Sequence, residues 1–244
     1  MENIRWWTWL LLVCGIISMV LLVAAPLGYK FRIFELVPSF VSLMLALLTA
    51  VVVFLGSLVM VFVASRGGLP GNRNLLIAAM LLSVVPIAFL TPQIIKGRSA
   101  APIHDISTDT MNPPQFDKIV ALREGAVNSL KYAAGMTPKD YVELQTKAYP
   151  EVKSLHTNLS VAESVAHSKD LLASQGLEVV NVDPQKGIVE AVATSFWFGF
   201  KDDVVVRVMP SDGGATVDVR SVSRVGMSDL GVNAARIEKF LKAF

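Results

Sequence analysis

The amino-acid sequence predicts an α+β protein, with three transmembrane helices followed by a domain built on one antiparallel sheet. Three observations predict it. Before Lys96 lie three long stretches without a charged residue. Near the C-terminus two segments alternate side chains with the period of two that marks half-buried strands. A capped amphipathic pattern with helical spacing follows them.

The 244 residues are 53% hydrophobic and only 17% charged, with a mean hydropathy of +0.53, more apolar than ordinary soluble usage. No charge occurs from Trp6 through Tyr29, from Leu36 through Ser65, or from Asn74 through Ile95. Each stretch supplies the roughly 20 residues a helix needs to cross hydrocarbon. The predicted spans are about 6–25, 38–64 and 74–95, so residues 1–98 form a membrane anchor and 99–244 an extramembrane domain. Trp6, Trp7 and Trp9 after Arg5 form an interfacial aromatic belt. Pro26-Leu27-Gly28 closes the first helix, Pro38 suits a first helical position, Arg66 to Gly71 is a short turn, and Pro86 predicts a kink.

The spans carry no ionisable side chain, which argues against a transporter or pump. Cys14, the single cysteine, excludes an intrachain disulfide and a cysteine-based metal site. Val23-Ala24-Ala25 before Pro26 lacks a small-x-small cleavage pattern, so the first segment is expected to stay as an anchor. Arg5, Arg66 and Arg73 on one side face Lys30, Arg32, Lys96 and Arg98 on the other, a balance that does not orient the chain. The dominance of the first helix, preceded by Arg5 and the free amine, favours a cytoplasmic N-terminus. From Lys96 onward, 17 basic residues balance 18 acidic ones, which excludes the electrostatic stripe of a nucleic-acid binder.

Within the domain, residues 103–108 predict a first strand and 116–130 a short helix in a proline-rich stretch. Residues from Leu159 or Ser160 to Gln175 predict a helix with Val161, Val165, Leu171 and Leu172 on one face and Gly176 as its stop. Strands follow at 177–182 and 188–200, then a hairpin around Pro210-Ser211-Asp212-Gly213-Gly214. On its mixed face Arg207 is placed to pair with Asp218 or Asp203. Ser228 stands as N-cap of a last helix with Val232, Ile237, Phe240, Leu241 and Phe244 on its apolar stripe. The order is β-α-β-β-β-β-α, which resembles half of a TATA-binding-protein-like fold or a short helix-grip, a likeness that says nothing about chemistry.

Four blocks carry a family likeness. They are His104 to Asp109 with Pro113-Pro114-x-Phe116, then Gln145-x-x-x-Tyr149-Pro150, then Phe196 to Asp203, then Arg220-Ser221-x-Ser223-Arg224-x-Gly226-x-Ser228-Asp229-Leu230-Gly231-x-Asn233. Over about residues 100–244 the chain resembles the bacterial and plastid family catalogued as domain of unknown function 1499. That resemblance implies a membrane-attached or exported domain and no particular reaction.

The best anion-site candidate is Arg220, Arg224, Ser228 and Asn233, where two guanidinium groups meet a helix N-terminus that favours negative charge. The competing structural reading pairs Arg220 and Arg224 with Asp218 and Asp229. Phe196, Trp197, Phe198 and Phe200 are the apolar candidate, with three rings sharing a sheet face either as core or as a surface or pocket for lipid or partner. His104, His156 and His167 have no paired spacing, so no metal is expected, and no cofactor is implied. Asp202-Asp203 reads as a solvated turn.

The sequence thus points to a bacterial inner-membrane protein, N-terminus cytoplasmic, whose periplasmic domain is a binding module for a membrane protein partner, an anion or a lipid. Two alternatives stand. One is an envelope hydrolase using Ser221, Ser223 or Ser228 near His167, although no G-x-S-x-G elbow is present. The other is an accessory structural subunit of a larger membrane complex.

Overall fold

A computed structural model describes residues 3–244. Its backbone divides the chain into two units, residues up to Arg98 together with Trp197–Gly199, and Ser99–Phe196 together with Phe200–Phe244.

The first unit holds α1 (Trp6–Lys30), α2 (Leu36–Arg66) and α3 (Pro70–Ser99), each long and apolar enough to cross a membrane. Their packing is inverted relative to a water-soluble bundle. Leu10, Val20, Val52, Val59 and Leu81 face outward, while Thr8, Ser18, Ser57, Asn72 and Ser83 are fully buried. Helices in lipid gain nothing by hiding leucine from a solvent as apolar as leucine, so small and polar side chains line their contacts instead. The Thr8 hydroxyl donates to Asn72 Oδ1 at 2.8 Å, and the Arg5 amide donates to the same atom at 2.9 Å. Ser18 Oγ donates to the Ala46 carbonyl at 2.7 Å. Gly15 lies against Ala79, whose carbonyl oxygen would be 3.5 Å from an added Cβ.

The helix ends differ from the sequence expectation. Pro26 does not close α1, which runs on to Lys30, because one missing N–H and local adjustment are tolerated where packing holds the helix. The chain turns instead where Gly28 O accepts the amides of Ile33 and Phe34 and Arg32 takes φ 59°. Helix α2 starts two residues before Pro38, which falls in the first turn, where an amide has no intrahelical partner anyway. Helix α3 starts at Pro70, ahead of the expected residue 74, with the proline at its first position.

The second unit is an antiparallel sheet of β1 (Asp105–Ser107), β2 (Leu155–Thr157), β3 (Glu178–Asp183), β4 (Ile188–Thr194), β5 (Lys201–Ser211) and β6 (Gly214–Ser223). The order is β1-β6-β5-β4-β3, with β2 pairing the other half of β6. Its apolar face follows from the alternation. Val204, Val206 and Val208 of β5 and Val217 and Val219 of β6 pack with Val165 and Leu172 of α5 (Val161–Ser174) and with Ala234, Ile237 and Phe240 of α6 (Val232–Ala243). Ser160 caps α5 in a reciprocal box with Glu163.

The proline-rich stretch holds two elements absent from the predicted order, strand β2 and helix α4 (Pro138–Ala148). Helix α4 finishes the sheet edge with side chains. The Tyr141 hydroxyl donates to Asp105 O at 2.7 Å and accepts from Asp105 N at 3.2 Å. The Gln145 amide accepts from Ser107 N at 3.1 Å and donates to Ser107 O at 2.8 Å. An edge strand must satisfy its outward peptide groups, and two polar side chains one helical turn apart do so here. Burial holds both Tyr132 and Tyr141 far above the ordinary phenol range, so both remain donors.

Candidate functional site

The mixed face of the sheet is covered rather than solvated. It carries Glu190 of β4, Asp203 and Arg207 of β5, and Asp218 and Arg220 of β6, of which all but Arg207 are buried. Over it lies the largely irregular segment 109–131, which includes a 3-10 turn, Lys118–Leu122, with Ile119 fully buried. Glu190, Asp203, Arg207 and Arg220 each hold part of that segment, and Asp218 acts through Arg207.

Arg220 is the central one, with 0% exposure. Its Nε and Nη2 donate to the two oxygens of Asp105 at 2.9 and 2.7 Å, a bidentate pair. The remaining donors reach the carbonyls of Pro114 at 3.1 Å and Leu130 at 2.7 Å. The rings of Phe116 and Tyr132 lie 5.3 and 5.5 Å from the guanidinium carbon. Burial pushes the Asp105 carboxyl up while Arg220 pulls it down.

Asp203 is equally buried and accepts from two arginines. Arg224 binds it through Nε and Nη2, the latter at 2.7 Å, and Arg123 pairs with its other oxygen. Arg224 Nη1 also donates to Leu122 O at 2.8 Å, and Arg123 Nη2 to Asn128 O at 2.5 Å. Arg207 joins Asp218 at 2.8 Å and Asp109 at 2.9 Å. Glu190 accepts the amides of Asp117 and Lys118, at 2.7 and 2.8 Å, at the start of the 3-10 turn.

The partners differ from those expected. Arg207 does meet Asp218, its cross-strand neighbour. Arg220 and Arg224 pair with Asp105 and Asp203 rather than Asp218 and Asp229, because β1 lies along the end of β6 and brings Asp105 beneath Arg220. Asp202-Asp203 is no solvated turn: both lie in β5, and Asp202 pairs with Arg236 at 2.8 Å.

The exit from β6 also departs from the expected cap. Ser228 donates its hydroxyl to Ala101 O at 2.9 Å and does not cap α6. Leu230 and Gly231 take φ of 56° and 77°, which delays the helix to Val232. Asp229 closes this turn, accepting Gly231 N at 2.9 Å and Asn233 N at 2.6 Å. Asn233, fully buried, donates to His104 O at 2.9 Å and Ser223 Oγ at 3.0 Å and accepts from Ser221 Oγ at 2.6 Å. Arg236 also donates to Asn233 Oδ1 and Ser221 Oγ.

Burial pushes the Asp229 carboxyl above its ordinary 3.8, against the pull of the Asn233 and Gly231 amides. The folded domain then binds more protons than the unfolded chain between 3.8 and the raised folded value, so stability falls as pH rises through that window. Asp229→Asn is expected to flatten that part of the curve, by at most about 1.4 kcal/mol per pH unit. Urea midpoints of the full chain between pH 4 and 7 measure it, and parallel curves for the two proteins would refute it.

Phe196, Trp197, Phe198 and Phe200 do not form a strand face. Strand β4 stops at Thr194, and a loop closes through Ser195 N to Phe200 O at 2.8 Å and Phe200 N to Ser195 Oγ at 2.9 Å. Gly199 at φ 68° turns the chain and breaks the alternation. Phe196 and Trp197 are exposed, Phe198 and Phe200 half-buried.

The histidines are dispersed. His104 contacts Met227 O, His156 the Thr216 hydroxyl, and His167 stacks edge-on to Phe244. Among the described residues, no group of three or more His, Cys, Asp or Glu is placed to hold a metal ion.

A family model described as "Protein of unknown function (DUF1499)" matches residues 105–244. The chain belongs to that family. The match starts at Asp105, the carboxylate that holds Arg220, so the DUF1499 domain includes both halves of the central clamp. No curated protein and no solved structure matches the chain.

The pairings that sequence reasoning missed are Asp105 with Arg220 and Asp203 with Arg224 rather than Arg207, and the residues it missed are Arg123, Glu190 and Arg236. Glu190 carried a signal, since it interrupts an otherwise apolar strand. Arg123 carried none.

Proposed function

We propose that this chain is a membrane-anchored, non-catalytic module of the bacterial envelope. Its N-terminus is cytoplasmic, its three helices cross the inner membrane, and its DUF1499 domain stands on the periplasmic side, where it binds a partner protein or an anionic or lipidic ligand. The observation that carries this reading is how the side-chain chemistry is distributed. The arginines and carboxylates of the sheet face hold one another and the covering segment, while the Phe196 side chain at the head of the 195–200 loop is exposed.

The same observation weighs between the two ligand candidates. An anion at Arg220, Arg224, Ser228 and Asn233 would have to displace Asp105 or Asp203 from buried bidentate pairs, at a cost of several kcal/mol. The Phe196 to Phe200 loop requires no such displacement, so it is the favoured surface. The Ser221 hydroxyl donates to Asn233 rather than to a histidine, which favours binding over hydrolysis.

Fusing alkaline phosphatase or green fluorescent protein to the C-terminus of the full chain in a bacterium tests the placement. The phosphatase fusion should be active and the fluorescent one dark. Fluorescence with an inactive phosphatase would place the domain in the cytosol and end the periplasmic reading.

A further inference from the structure

The two ends of the sheet differ in chemistry. At one end β4 finishes, β5 starts and β6 finishes, with Thr194 opposite Lys201 and Asp202 opposite Ser223. Strand β1 starts at the same end, with Asp105 opposite Val222. Here the side chains of Phe196 (77%), Met227 (84%), Val127 (80%) and Leu122 (49%) are exposed. Asn128 ties the last groups together, donating to Ser223 O at 3.0 Å and Gly226 O at 2.8 Å, while Leu122 O accepts from Arg224. The turns at the opposite end, residues 184–187 and 212–213, consist of Pro, Gln, Lys, Asp and Gly.

Connectivity says which end the last helix leads into. Helix α3 ends at Ser99 and β1 begins at Asp105. Six peptide steps reach roughly 20 Å at full extension. The apolar end is therefore the one tethered to the last helix. Phenylalanine and methionine held on loops suit the boundary between headgroups and acyl chains, where apolar side chains leave water while nearby backbone stays wet.

We propose that this end of the DUF1499 domain, led by Phe196 and Met227 with Val127 and Leu122 beside them, is a lipid-contacting surface that inserts into the interface of the bilayer its own helices cross. The inference rests on the membrane-anchored reading and names the ligand as the lipid surface.

Spin labels in the full chain test it. Cys14→Ser supplies a cysteine-free background, and single cysteines are placed by Phe196→Cys, Met227→Cys and, as controls, Gln185→Cys and Asp212→Cys. The protein is reconstituted into phosphatidylcholine and phosphatidylglycerol vesicles, and label collisions with oxygen and with a water-soluble nickel chelate are compared. The oxygen-to-nickel ratio at 196 and 227 should exceed that at 185 and 212 several-fold. Equal ratios at all four positions would overturn the proposal, as would labels at 196 and 227 shielded from both reagents, which would mean a protein covers them. Carbonate extraction of the same vesicles reports the anchor independently: protein that is retained yet wet at 196 and 227 sinks this inference alone, and protein that is released sinks the anchored reading.

Discussion

Arg220→Ala is expected to destabilise the sheet domain by about 3–5 kcal/mol, because removing one partner of a buried pair leaves the other charged and unpaired. Asp105 would remain at 3% exposure without its bidentate donor, and the carbonyls of Pro114 and Leu130 would lose theirs. The effect has a location as well as a size. Both carbonyls belong to the stretch that covers the mixed sheet face, so amides around 112–132 should exchange faster than those of β5 and β6. Hydrogen exchange and urea pulse proteolysis on the detergent-solubilised full chain measure the two quantities. Arg220→Lys should recover little, since a single ammonium cannot reproduce a planar fork that meets a carboxylate and two carbonyls. A loss under about 1 kcal/mol, or unchanged exchange around 112–132, would show that the pair does not hold the cover down.

What the sequence made legible follows from the range over which each signal acts. Uncharged runs and period-two alternation are local, so the three spans, the β5–β6 hairpin and the helix from Val161 could be read directly. Positions separated by long loops could not. Asp105 and Arg220 stand 115 residues apart and meet only because β1 pairs antiparallel with β6. The pairing of Arg123 with Asp203 depends on how an irregular segment folds over a sheet, which no periodicity encodes. Helix α4 was hidden by its largely polar composition in a proline-rich stretch, and its inward side chains Tyr141 and Gln145 act through hydrogen bonds.

Two local misreadings share one cause. The alternation of Phe196, Phe198 and Phe200 looks like strand, and Ser228 looks like a helix cap, but in each case a left-handed residue intervenes. Gly199 turns the chain out of β4, and Leu230 with Gly231 delays α6. A side-chain pattern describes which groups share a face only while the backbone stays regular. Glycine in the motif was the warning in both places.

Asp203→Ala is expected to cost about as much as the loss of Arg220, about 3–5 kcal/mol, for the opposite electrostatic reason. Asp203 is the one carboxylate between Arg123 and Arg224, and its removal leaves two guanidinium groups facing each other in a nearly dry site. Each keeps a single carbonyl partner, Asn128 O for Arg123 and Leu122 O for Arg224, too little to solvate a buried cation. Asp203→Asn keeps the shape and drops the charge, so it should fall between wild type and alanine. The sharper test is the triple variant Asp203→Val, Arg123→Met, Arg224→Met, which replaces the whole cluster with apolar side chains. Replacing a buried ionic cluster entirely is often neutral, so the triple variant should be more stable than Asp203→Ala alone despite two further substitutions. Urea midpoints of the four proteins, read as the full chain in detergent, decide it. Additive losses would mean that the three residues act separately and that the cluster is not the second clamp on the covering segment.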